Sequence, residues 1–229
     1  MNKFYVIEPE KGMRFGTKWT YGDVMDPVKY GDSQKCPVCG GPVSSLEWLP
    51  PYFVKLSSAK PEKWCDFVWG AGFTLIISER FKEIYYREGL KGIESFSPVQ
   101  VVRMGAKKKG EFPVPPSTYY LPFIPWGGAD QDDLASEIRY EHPEEIKCDY
   151  CREGVAISTQ DKVIIREDSW DGSDIFNPIH TPALYMPSER FKQVSEKYDF
   201  TNLWLIPSEK YGYSELRHGT FPWFINESE

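Results

Sequence analysis

Nothing in this sequence approaches the ~20 consecutive apolar residues of a membrane-spanning helix. The first apolar run, Phe4 to Ile7, ends at a Glu-Pro-Glu and is shorter than the roughly 7–15-residue apolar segment of a secretory leader. The expectation is a protein with no membrane partner, held in the cytoplasm, where thiols stay reduced. Basic clusters are nearly missing too. One lysine run, Lys107 to Lys109, stands against a formal net charge of −7. Phosphate binding needs clustered Lys and Arg, so nucleic acid is not an expected partner. Histidine is equally scarce. His142, His180 and His218 match no metal-ligand or triad spacing and read as surface or packing residues. Neither a phosphate loop nor a nucleophile beside a base can be picked out, so the chain is expected to bind rather than to catalyse.

What is present suits a folded protein. Hydrophobic residues make up 41% of 229, enough for one large core and too many for a disordered tail. Five cysteines occur, and four of them fall into two pairs: Cys36 and Cys39 in "CPVCGGP", Cys148 and Cys151 in "CDYCREG". In reducing surroundings such pairs favour metal over disulfides. Two-residue spacing lets both sulfurs face one ion at about 2.3 Å. Gly40 and Gly41 allow the first turn to fold back under its sulfurs, whereas Arg152 stands where the second turn would want glycine. Together the pairs can supply four sulfurs to one structural Zn2+. Unmetalled pairs and redox pairs remain the alternatives at this point. Cys65, the unpaired fifth, reads as buried and inert.

The chain also repeats itself. "SERFK" begins at Ser78 and again at Ser188, a shift of 110, and Cys36 to Cys148 is a shift of 112. Aligned on the first shift, Ile84 meets Val194, Leu90 meets Phe200 and Ile93 meets Leu203. Asp66 and Asp174 precede the two "SERFK" segments in the same order. Each copy reads as strand, helix, strand. "FTLII" and "PALYM" are β-prone, Ser78 and Ser188 sit where helix N-caps belong, and "GIESF" and "NLWLI" follow as strands. Gly89 closes the first helix with a left-handed cap, and Asp199 in its place predicts a less sharp end for the second. The acidic group Asp130, Asp132, Asp133, Glu137, Glu141, Glu144 and Glu145 reads as a solvated face.

Two CxxC motifs, each followed at a distance by a strand and an "SERF"-type helix, resemble the double-CxxCG immunity-protein family of myxobacteria. The resemblance covers nearly the whole chain. It implies a cytoplasmic antitoxin that binds and blocks a cognate protein toxin, with a zinc site at Cys36, Cys39, Cys148 and Cys151. The fold expected is α+β, two pseudo-repeated strand–helix–strand units each preceded by a CxxC knuckle and packed as one compact body. Residues 1–229 form one domain: a first repeat at about 32–103, a Pro/Gly-rich connection at 104–143, in which "YYLPFIPW" can add a strand, and a second repeat at about 144–213. The alternative function is a zinc-ribbon accessory factor or an enzyme with its site in the middle segment.

Overall fold

Two serines start the two helices. In the computed structural model, which describes residues 2–10, 18–71, 74–112 and 114–212, Ser78 caps α1 (Glu79–Arg87) by accepting the Phe81 N–H. Ser188 caps α2 (Glu189–Tyr198) by accepting the Phe191 N–H. Each cap contributes about 1 kcal/mol. Helical spacing puts Phe81, Ile84 and Tyr85 of α1, and Phe191 and Val194 of α2, on buried faces. Both helices end in the same way. Gly89 takes φ +61°, and Asp199 takes φ +49°. The N–H of Leu90 bonds Tyr85 O and that of Phe200 bonds Ser195 O, the matching long-range closure of each helix. The less sharp end predicted at Asp199 is therefore corrected: aspartate is short enough to enter the left-handed region.

The strands in chain order are β1 (Tyr5–Glu8), β2 (Gly22–Val24), β3 (Lys29–Tyr30), β4 (Trp48–Leu49), β5 (Phe53–Leu56), β6 (Phe67–Ala71), β7 (Thr74–Ser78), β8 (Ser95–Met104), β9 (Lys107–Lys108), β10 (Tyr119–Phe123), β11 (Trp126–Ala129), β12 (Arg139–Tyr140), β13 (Ile157–Thr159), β14 (Ile175–Pro178), β15 (Met186–Pro187) and β16 (Trp204–Pro207). "PALYM" contributes only its last residue to a strand, because Thr181 and Leu184 close a turn. "GIESF" joins its strand only from Ser95 onward.

The main sheet runs β2-β5-β8-β10-β7-β6, with β9 folded onto β8. Its central strand, β10, comes from the Pro/Gly-rich stretch and pairs antiparallel with β8 and β7 on its two sides. The sheet curls until its edges meet: a Cβ on Gly22 of β2 would lie 3.3 Å from Val68 Cγ1 of β6. Strand alternation then divides the apolar residues between two cores. Val68 and Ile76 point into the nearly closed sheet with Val54, Leu56, Val101, Met104 and Tyr119. Phe67, Leu75 and Ile77 point the other way, onto Phe81, Ile84, Phe191, Val194 and Phe200. The result is a mixed α and β fold, two helices and many strands in one compact body.

The helices are tied to each other at their ends. Asp66, buried before β6, accepts from Ser78 Oγ at 2.7 Å, Arg80 Nη1 at 2.5 Å, and Thr201 N and Oγ1 at 3.0 Å each. Asp174 accepts from Ser188 Oγ at 3.0 Å, Arg190 Nη1 at 2.7 Å and Lys91 N at 3.0 Å. Each arginine also reaches across. Arg80 donates to Tyr198 O at the end of α2, and Arg190 to Glu88 O at the end of α1. A guanidinium at a helix C-terminus meets unpaired carbonyls and the negative end of the dipole, so each helix is closed by the other's first turn. Phe81 and Phe191 meet between them, ring centroids 6.1 Å apart.

Candidate metal centre

Each CxxC motif folds into a tight turn; one backbone bond is the same in both, and the second closes each turn from a donor one position apart. In the first, Gly40 N–H donates to Cys36 O at 2.9 Å and Cys36 N–H to Gly41 O at 2.8 Å. In the second, Arg152 N–H donates to Cys148 O at 2.8 Å and Lys147 N–H to Glu153 O at 2.8 Å. The turn demands a left-handed residue after the second cysteine. Gly40 supplies it at φ +72°, and Arg152 supplies it at φ +57°. A non-glycine residue there costs roughly 1–2 kcal/mol. The Arg152 side chain offsets that cost through Nε on Asp133 Oδ2 at 3.1 Å and Nη1 on Asp149 Oδ1 at 3.3 Å.

The two turns face each other across 112 residues of sequence. The Sγ atoms of Cys36, Cys39, Cys148 and Cys151 all lie within 4.8 Å of one another, and Cys39 and Cys151 approach to 3.6 Å. All four are free thiols. A tetrahedral ion with metal–sulfur bonds of about 2.3 Å sets its sulfurs about 3.8 Å apart, so this cluster fits such an ion with little movement. Backbone amides also point at the sulfurs: Val38 N–H at Cys36 Sγ and Gly41 N–H at Cys39 Sγ, 3.4 Å each. Donors of this kind stabilise the thiolates a metal needs.

Electrostatics separate Cys36, Cys39 and Cys151. Burial pushes the Cys36 thiol up, but amide donors and the neighbouring thiols outweigh it and bring it down to about 7. Burial drives Cys151 well above the usual thiol range, reinforced by Cys36 and Cys39. Cys39 is raised as well; the Gly41 amide lowers it, but burial and the Cys36 and Cys148 sulfurs prevail. The neighbouring sulfurs thus hold Cys39 and Cys151 protonated, and a cation between them would favour their thiolates. Such an ion would have its four positions filled by sulfur, leaving no open position for a reacting water.

Around the sulfurs lies a shell that the sequence did not reveal. Cys36 and Cys148 are buried beneath Val43 and Trp126. Trp126 is fixed by its N–H on Gln34 Oε1 at 2.8 Å and its indole N–H on Ile179 O at 3.1 Å. Asp133 is corrected from solvated surface to structural hub: besides Arg152 it accepts Tyr140 OH at 2.9 Å and contacts His180 Nδ1 at 2.5 Å. His180 Nε2 reaches Tyr150 O, inside the second turn, at 3.2 Å. Its two nitrogens thus face a carboxylate and a carbonyl, and the ring bridges Asp133 to the second turn. Burial acts to raise the Asp133 carboxyl, but the His180 hydrogen bond and charge, with Tyr140 and Arg152, hold it below its ordinary value. Glu153 packs against Gly41, where a Cβ would lie 2.5 Å from the carboxylate, and its Oε2 sits 3.4 Å from Cys39 Sγ. His142 is exposed beside Glu144, and His218 lies outside the described residues. Cys65 is buried 3.2 Å from Phe67 O, apart from the cluster.

Among the described residues, no helix is long and apolar enough to cross a membrane. No protein-family model matches the chain, and no curated protein matches it.

Proposed function

We propose that this chain is an immunity-type binding protein, which neutralises a cognate protein toxin by stoichiometric binding in the cytoplasm, and whose body is stapled by a structural Zn2+ at Cys36, Cys39, Cys148 and Cys151. The observation that carries this reading is the convergence of two motifs 112 residues apart on one four-sulfur cluster. Four sulfurs suit zinc by softness and tetrahedral geometry, and they suit a structural ion better than a catalytic one. In this reading the body is a duplication of two strand–helix–strand units, each preceded by its knuckle. Support comes from the matched carboxylate clamps at Asp66 and Asp174, the matched N-caps at Ser78 and Ser188, and the matched left-handed residues at Gly89 and Asp199. The formal charge of −7 suits a basic protein partner.

The test is co-expression with the product of the neighbouring gene, which this reading expects to be the toxin. The reading expects growth to be rescued and the two chains to co-purify as a stable complex. Absence of both rescue and co-purification would overturn it. The Cys148→Ser variant, assayed below its melting temperature, is expected to retain toxin binding, because the ion's role is architectural.

A further inference from the structure

The four sulfurs are not equally placed. Cys36 and Cys148 are buried at 2% and 6% exposure, whereas Cys39 is exposed and Cys151 half-buried. The outer pair, Cys39 and Cys151, approaches to 3.6 Å and joins the two turns to each other. We propose that Cys39 and Cys151 form an oxidation site, at which a hydroperoxide converts the metal-bound pair into an inter-turn disulfide and releases the ion. The proposal rests on the metal-centre reading above.

The chemistry balances in two steps. The Cys39 thiolate, the sulfur an oxidant in solvent meets first, attacks the peroxide oxygen. The O–O bond breaks, an S–O bond forms, and the departing alkoxide or hydroxide takes a proton to leave as alcohol or water. The Cys151 thiolate then attacks the Cys39 sulfur. The S–S bond forms as the S–O bond breaks, and the hydroxide that leaves is protonated to water. Two thiolates give up two electrons, which the peroxide accepts. An ion that has lost two of four ligands no longer has a closed site, and the remaining pair holds it weakly. The staple between the turns is not lost but exchanged, a disulfide for a metal. The outer position of this pair leaves Cys36 and Cys148 covered by Val43 and Trp126 throughout. Cys65 does not compete: burial, first of several causes, pushes its thiol up to about 12.

The experiment titrates the zinc-loaded full chain with hydrogen peroxide, follows released metal with a chromogenic chelator, counts thiols after denaturation, and maps linkages by mass spectrometry of a digest. The expected result is one ion released for every two thiols lost, with three of the five cysteines still reduced. A Cys39–Cys151 cross-linked peptide should appear in step with release. A sulfenic-acid trap should label Cys39 in preference to Cys36 or Cys148, and a dithiol reductant with added zinc should restore the starting state. A disulfide within one turn, sulfinic acid without a disulfide, or metal retained after two thiols are lost would each overturn the proposal. Metal content before treatment separates the two ideas: a chain that carries no ion removes the metal-centre reading and the release step with it, while the linkage map still judges which sulfurs pair.

Discussion

Asp174→Asn is the sharpest probe of how the two helices are held together. The Asp174 side chain is 5% exposed and accepts from Ser188 Oγ, Arg190 Nη1 and Lys91 N. Asparagine keeps the shape but removes the charge, and it can present an NH2 group where an acceptor is needed. Hydrogen bonds to a charged group contribute about 1.5–3 kcal/mol each and do not add independently. Breaking a buried pair by removing one partner costs about 3–5 kcal/mol. Arg190 is 48% exposed, so water screens its share and the lower end of that range applies. The expected loss is therefore about 3 kcal/mol, or a fall in Tm of about 6–12 °C for a chain of this size. Asp66→Asn should cost at least as much, because Asp66 accepts four bonds rather than three. Lys192→Ala, which breaks an exposed i,i+4 pair with Glu196, is the control and should stay within about 0.5 kcal/mol. Urea denaturation at neutral pH reads all three. If Asp174→Asn matched the control, the clamp would not hold the two helices together and the reasoning would fail.

Arg152→Gly removes left-handed strain and two ion pairs together, so stability should stay within about 1 kcal/mol of wild type and the metal should remain bound; Arg152→Ile keeps the strain, adds β-branching, and should lose about 2 kcal/mol in the same melts. The carboxyl of Asp133 is held below its ordinary value in the fold, so its contribution is present above the unfolded value of about 3.9 and is lost as pH falls through the lower folded value. Asp133→Asn should consequently flatten the stability–pH curve below about pH 4, read as the difference between variant and wild type so that sulfur protonation cancels.

The parts legible in the sequence were those set by near neighbours. Ser78 and Ser188 announced the helix starts, three-and-four spacing announced Phe81, Ile84, Phe191 and Val194, and two-residue spacing announced the cysteine turns. The near-equal shifts of 110 and 112 suggested that the cysteine pairs could meet, and the four sulfurs do lie together. Long-range geometry stayed hidden. Nothing local marks the Tyr119–Phe123 strand, which contains Pro122, as the centre of a sheet. Nothing local marks Arg80 and Arg190 as helix-end caps, because the carbonyls they cap lie 118 and 102 residues away. Asp133 and His180 are 47 residues apart, so neither hints at the other. Arg152 carried a signal that was read only halfway. Its place after a CxxC demanded a left-handed residue, and Asp133 and Asp149 are what let an arginine fill it.

The central claim is one ion held by four sulfurs from both motifs. The direct measurement is metal content per chain, in protein purified without chelator, combined with X-ray absorption at the metal edge. Closing a loop between Cys36 and Cys148, 112 residues apart, contributes about 5 kcal/mol in the chain-entropy model, so loss of the ion should lower Tm by about 10–20 °C. The account predicts one zinc per chain with four sulfur neighbours at about 2.3 Å, and none in Cys36→Ser or Cys148→Ser. A chain purified without zinc, an ion with fewer than four sulfur neighbours, or zinc retained after either motif is broken would contradict it.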